Sequence, residues 1–221
     1  MKSSDKPFRS DGEQARRRLL SSALVLFARD GYAKTSIRAI AEAAQINLAS
    51  ISYYFGDKQG LYRAIFQDPD LNPGFDPGRL DPGELDLRST VDLLLKELVE
   101  PLKSAEQVLL CMKLHFREMI EPTGMWEEIE TNIKPAHAFL VAALCKHFGL
   151  TKADDDIHRL AFEISGMGIM LHVGHDVIQI IRPQLLKSAA ALDLYHERLV
   201  SYAMALIDLE ANRRNVHTND H

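Results

Sequence analysis

Cysteine is nearly absent from this chain, with only Cys111 and Cys145 in 221 residues. Two thiols are too few for a disulfide framework. Both fall in apolar helical patterns, so they read as reduced core residues, with a redox pair as the alternative. No run of 18 or more apolar residues occurs, so no membrane-spanning helix is expected. The opening MKSSDKPFRSDGEQ is polar with no apolar segment behind it, which argues against a secretory signal and for a cytoplasmic protein with no membrane partner. Also missing are a Gly-rich phosphate loop, a GxSxG elbow and an HExxH pair, so nothing supports an enzyme. No cofactor or metal is expected. His172-x-x-His175-Asp176 has metal-like elements, yet Gly174 breaks the helix between the rings, and catalytic zinc needs a third protein ligand. The three acids Asp154-Asp155-Asp156 are explained by a helix dipole rather than a cation site.

What is present is a hydrophobic fraction of 46%, enough for a core split over two domains. The net charge of −5 is unevenly spread. Residues 1–67 hold 11 Lys and Arg against 6 Asp and Glu, whereas residues 68–221 hold 15 against 25. Screening confines each charge's field to about 8–10 Å, so the local balance decides whether a phosphate backbone is attracted. Only the N-terminal part is basic.

That basic part contains TSIRAIAEAAQINLASISYYFGDK, from Thr35 to Lys58. Ile37, Ile40, Ala41 and Ala44 recur at helical spacing and give a first helix one buried face. Thr35 or Ser36 can cap it, a hydroxyl accepting from an unpaired N–H of the first turn. A break at Gln45-Ile46-Asn47 follows, and Asn47 suits the cap of a second helix from Leu48 to about Phe55. Ile46, Ile51 and Phe55 then face the first helix, which leaves Ala49, Ser50, Ser52 and Tyr53 outward. Small, hydroxyl and aromatic residues suit a helix lying in the DNA major groove. The pattern is a helix-turn-helix over residues 35–55. A structural helix pair in an α-helical enzyme is the competing interpretation.

The residues Phe27-x-x-x-Gly31-Tyr32, Thr35-Ser36-Ile37, Ile40-Ala41-x-x-Ala44, Ala49-x-Ile51, Phe55 and Lys58-x-x-Leu61 resemble the DNA-binding domain of the TetR family of transcriptional regulators. Three positions depart from it. Gln45 stands where the family usually has the turn Gly, and a left-handed conformation there costs about 1 kcal/mol. Ser52 replaces a common Tyr, and Tyr54 a common His. The resemblance implies an all-α homodimeric repressor that binds a near-palindromic double-stranded operator and leaves it on binding a small-molecule effector. An architectural DNA-binding protein without an effector is the alternative. The expected DNA contacts are Thr35, Ser36, Leu48, Ala49, Ser50, Ser52, Tyr53, Tyr54 and Lys58. Ser50 and Tyr53 are assigned to base edges, and Thr35, Tyr54 and Lys58 to phosphates. Lys58 opens a helix capped by Asp57, where the dipole disfavours a cation, so a phosphate is its better partner.

In chain order, Asp11-x-x-Gln14 resembles a capping box opening the first helix, which buries Leu20, Leu24 and Phe27 and ends at Gly31. Arg16, Arg17 and Arg18 either reach phosphates or form a solvated charge run. A domain over 1–67 gives way to a 68–87 segment with three Pro-Gly turn signals, a linker or a lid. The remainder, 88–221, is the expected effector-binding and dimerisation domain. Its helices are expected near 89–102, 105–121, 124–148, 153–173, 175–182 and 187–212, with Pro101, Pro122, Pro135 and Pro183 at ends or kinks. Arg117-Glu118-x-x-x-Pro122-Thr123 resembles a motif of the CecR-like branch of the TetR family, which implies a ligand-responsive regulator with hydrophobic or drug-like effectors. On that resemblance Met112, His115, Phe116 and Met119 would line a pocket with Trp126, Phe139, Met167 and Met170; taken singly, each also reads as plain core. Leu192, Tyr195, Leu199, Tyr202, Leu206 and Leu209 recur at steps of 3 and 4, a two-helix seam that predicts a subunit interface shared with the helix of Gly166.

Overall fold

A computed structural model describes residues 7–71, 85–104, 106–124 and 126–219, and the side chains of 11–71, 85–104, 106–124 and 133–215. The Pro-Gly turn signals and the first six residues lie outside the described residues. Among those residues the chain is helical with no strand, as an all-α fold requires. No single described helix is long and apolar enough to cross a membrane. The chain divides into two compact units, Met1–Pro73 with Ala105–Glu128, and Gly74–Ser104 with Ile129–His221.

The first unit is built on α1 (Pro7–Asp30), followed by α2 (Ile37–Ala44), α3 (Ala49–Phe55) and α4 (Lys58–Gln67). The first helix begins at Pro7, not at the expected Asp11. Proline's fixed φ is compatible with a first helical turn, and Asp11 lies within the helix as an exposed residue. Leu19, Leu20, Ala23, Leu24 and Phe27 form its buried stripe. Gly31, at φ 82°, ends it and bonds back to the Phe27 carbonyl at 2.9 Å.

A fifth member of this unit comes from further along the chain. Helix α6 (Glu106–Ile120), expected within the C-terminal domain, packs on α1 and adds Cys111 and Leu114 to the core of the first unit. Its far end explains the Arg117-Glu118 motif. Glu118 is 1% exposed, yet its carboxylate accepts from the Tyr62 hydroxyl at 2.8 Å and from the Thr123 N–H and hydroxyl at 2.5 and 2.7 Å. A buried charge held by three donors costs far less than a bare one. The guanidinium of Arg117 lies against Gly31, where a Cβ would come within 2.8 Å of it.

The second unit holds α5 (Leu87–Val99), α8 (Asp155–Val173), α9 (His175–Ile181), α10 (Ala189–Asn219) and α7 (Trp126–Phe148) from Ile129 onward. Asp154 caps α8, accepting from the Ile157 N–H at 3.0 Å. Gly168 lets α5 approach α8 closely, since a Cβ there would meet Leu98 at 2.5 Å. Pro135 lies inside α7, within the helix expected over 124–148. The buried members of this core are all aliphatic, among them Leu95, Leu144, Ile164 and Ile207.

The expected seam on α10 is divided. Leu192 and Leu199 are buried in the core of their own unit, Tyr195 and Leu206 are half-buried, and Tyr202 and Leu209 are exposed. Steps of 3 and 4 describe any helix that buries a stripe, so the same spacing served the monomer's core. The exposed apolar residues of α10 are instead Leu194, Tyr202 and Leu209, and those of α8 are Phe162, Met170 and Val173, with Gly166 exposed between them.

Candidate nucleic-acid interface

Each end of the α2–α3 pair is fixed by a local device. Ser36 caps α2, its Oγ accepting from the Ala39 N–H at 3.1 Å. Because that oxygen is the acceptor, its own O–H remains available to an outside acceptor such as a phosphate. Gln45 closes α2 in the left-handed region at φ 54°, the only described non-glycine residue to do so. Arg18 Nη2 donates to the Ala44 carbonyl at 2.5 Å and reaches Gln45 Oε1 at 3.4 Å. A cation at a helix C-terminus gains from the dipole, which offsets part of the strain at Gln45. Asn47 Oδ1 then accepts from the Ala49 N–H at 2.9 Å and starts α3.

Helix α3 anchors itself through Ile51, which is fully buried, while Ile46 and Phe55 pack at the edge of the same core. At the junction with α4, Asp57 caps by accepting from the Gly60 N–H at 2.7 Å. Gly60 is required there, because a Cβ would fall 1.9 Å from the Phe55 carbonyl oxygen. The recognition face is thereby held between two tightly specified turns. On it, Tyr53 is 82% exposed, and Leu48, Ala49 and Ser52 are exposed beside it, with Ser50 half-buried.

The expected phosphate contacts are placed less simply. Thr35 is buried, its hydroxyl donating to the Gly31 carbonyl at 2.8 Å with the Leu26 carbonyl at 3.2 Å, so it closes α1 and is not free for a phosphate. Tyr54 is half-buried, with its hydroxyl against α1 at Gly12. The Lys58 ammonium sits 4.3 Å over the Tyr32 ring, and burial lowers its pKa. The ring quadrupole holds this cation where the helix dipole disfavours it. The arginine run is engaged within the unit as well: Arg16 faces Glu13 and Asp68, Arg17 faces Glu13 and Asp70, and Arg18 closes α2. Sequence reasoning passed over Lys34 and Arg38, exposed cations on either side of Ser36. Their position next to a cap residue was the available signal.

The pocket residues expected from resemblance fall in different places. Met112, His115, Phe116 and Met119 lie on α6 in the first unit, where His115 meets Phe66 edge-on at 4.7 Å and burial lowers its pKa to about 4. Phe139 is buried and Met167 half-buried in the second unit, Met170 is exposed, and the Trp126 side chain lies outside the described residues. A cleft of about 650 Å³ in the second unit is lined by His147, Phe148, Asp156, Glu210 and Arg214, among others, and by none of these eight. His172 is engaged too, its Nε2 lying 2.6 Å from the Leu98 carbonyl oxygen.

A capped helix pair with a left-handed turn and an exposed second helix is the helix-turn-helix of a DNA-binding regulator. Residues 19–65 match the family of bacterial regulatory proteins, tetR family, and residues 87–208 match the C-terminal domain of the HTH-type transcriptional dual regulator CecR. The chain belongs to the TetR family of transcriptional regulators, in its CecR-like branch. It is 26% identical over 179 residues to the HTH-type transcriptional dual regulator CecR of Shigella flexneri, covering 76% of this chain and 79% of that protein. A shorter match, 48% identical over 51 residues, joins 23% of this chain to 25% of a probable HTH-type transcriptional regulator, YttP, of Bacillus subtilis. Among solved structures, the hemolysin II transcriptional regulator HlyIIR superposes with a TM-score of 0.59 at 20% identity, over 86% of this chain and 97% of that one. NalD of Pseudomonas aeruginosa, the secondary repressor of the MexAB-OprM multidrug efflux pump, gives 0.59 at 17% identity, over 88% and 96%. At these identities the two structures establish the fold alone.

Proposed function

We propose that this DNA-binding regulator is a cytoplasmic homodimeric repressor that leaves a near-palindromic operator when a small hydrophobic or drug-like compound binds. The observation that carries the DNA contact is the outer face of α3, where Tyr53 projects among small residues from a helix fixed at both ends. Ser50 and Tyr53 read base edges. Ser36, Lys34, Arg38 and Lys58 hold phosphates, with Lys58 drawn off the Tyr32 ring by the stronger charge of the backbone.

The dimer forms on the exposed apolar faces of α8 and α10. Phe162, Gly166, Met170 and Val173 follow one another at steps of 4, 4 and 3, and Leu194, Tyr202 and Leu209 continue the face on α10. Such a stripe on a monomer marks a contact surface. Two-fold pairing places the recognition helices about 34–36 Å apart, one turn of DNA. Effector binding in the C-terminal helices is relayed through α6, whose Glu118 holds Tyr62 of α4 at 2.8 Å. A coupling of about 1–3 kcal/mol weakens operator binding about 5- to 150-fold.

The test is operator selection from random duplexes, followed by footprinting with and without a panel of hydrophobic compounds. A footprint that persists at saturation with every bound compound removes effector release and leaves the architectural alternative.

A further inference from the structure

On the second unit, helices α7 and α8 bring two histidines from 21 positions apart into direct contact. His137 Nε2 lies 3.0 Å from His158 Nδ1, with the ring planes 14° apart and the centroids 5.3 Å apart. Nearly coplanar rings at that separation share one N–H···N bond along the line between them. Phe162, one turn beyond His158, stacks on a face of His137 with centroids 4.4 Å apart. The junction faces water, since His158 and Phe162 are exposed and His137 is half-buried.

We propose that His137 and His158 form a two-imidazole site for a borderline divalent metal ion of the zinc and copper class. Two nitrogens bound to one ion at about 2.0–2.1 Å, at angles between square and tetrahedral, stand about 2.9–3.4 Å apart. The observed 3.0 Å already lies in that interval. For both lone pairs to face one ion, the ring that now donates moves its proton to its own far nitrogen, and both rings tilt toward solvent. No proton is lost and the chain's charge is unchanged. Imidazole nitrogen selects zinc, copper or nickel over magnesium or calcium. No third His, Cys, Asp or Glu joins the pair among the described residues, so water fills the remaining positions and the site is an exchangeable two-ligand one, neither a closed structural site nor a three-ligand catalytic one. Occupation pins α7 to α8 one turn before the exposed stripe that begins at Phe162. The site is independent of the DNA-binding proposal.

Calorimetric titration of the full chain with Zn2+ tests it, beside His137→Gln, His158→Gln and His175→Gln. Expected are one Zn2+ per chain in the wild type, an affinity at least about 10-fold lower in each of the first two variants, and no change in the third; even supporting partners of a metal cost 10- to 100-fold when removed. Absence of binding, or binding equal in wild type, His137→Gln and His158→Gln, overturns the proposal and leaves the pair as an ordinary hydrogen bond. Because His158 is exposed, its variant decides the matter even if His137→Gln loses its fold.

Discussion

The two units of this molecule are held by different chemistry. The first joins short helices through capping side chains, a left-handed turn and an aromatic cluster of Phe27, Tyr32, Tyr62 and Phe66 stitched to a buried carboxylate. The second joins longer helices through an aliphatic core and leaves a stripe of apolar residues exposed on α8 and α10. Directional bonds fix the position of an element to a few tenths of an ångström, whereas aliphatic packing accepts many volume-conserving rearrangements. The unit that carries the helix-turn-helix is built with the first kind of chemistry, and the second unit with the second.

The sharpest break of the first unit is expected at Gly60. Its missing Cβ faces a backbone carbonyl at 1.9 Å, which has no rotamer by which to yield. Gly60→Ala should destabilise the full chain by about 3 kcal/mol or more, read from chemical denaturation. A comparable stability for this variant would show that the α3–α4 junction is looser than described.

A pH dependence should come next in size. His115 has its pKa lowered to about 4 by burial, against an unfolded value near 6.5. The unfolded chain therefore takes up the proton first. Stability from this group is complete above about pH 6.5 and falls as pH drops toward 4, by up to about 3 kcal/mol. His115→Gln should flatten that limb of a melting-temperature profile; an identical slope in the variant would assign the acid sensitivity elsewhere.

Smaller effects separate the two units further. Gln45→Gly should stabilise the chain by up to about 1 kcal/mol, since glycine adopts φ 54° without strain, less whatever the Arg18 contact contributes. Gly166→Ala, mid-helix and with nothing within 4 Å of the added Cβ, should stabilise the fold by about 0.5–1 kcal/mol. A contact of α8 between subunits would add a change in sedimentation that denaturation of the fold does not show.

The first unit was legible because its signals are local. Ser36, Asn47 and Asp57 announce helix starts within three residues of the N–H they satisfy, and Gly31 announces an end. The fate of Lys58 was not legible, because the ring that holds it, Tyr32, lies 26 residues back in the turn after α1, and that of Thr35 was not, because its spacing fits a helix cap as well as a hydroxyl turned back to the Gly31 carbonyl. The placement of α6 was hidden for the same reason. Its apolar residues announce a buried helix, but nothing in their spacing says which of two cores receives it. On α10, one periodicity served both the internal core and an outer face, so the seam expected from Leu192 to Leu209 combined residues from each.

Tyr53→Ala isolates the outer face of α3, on which base recognition would depend. The side chain is 82% exposed, so the variant should melt like the wild type. Binding of wild type and variant to a selected operator and to scrambled duplex, at one fixed salt concentration, is the decisive measurement. The expected result is a loss on the operator worth about 1–3 kcal/mol, with binding to scrambled DNA unchanged. Equal operator affinity and equal sequence preference in the two proteins would contradict the assignment of this face to base recognition.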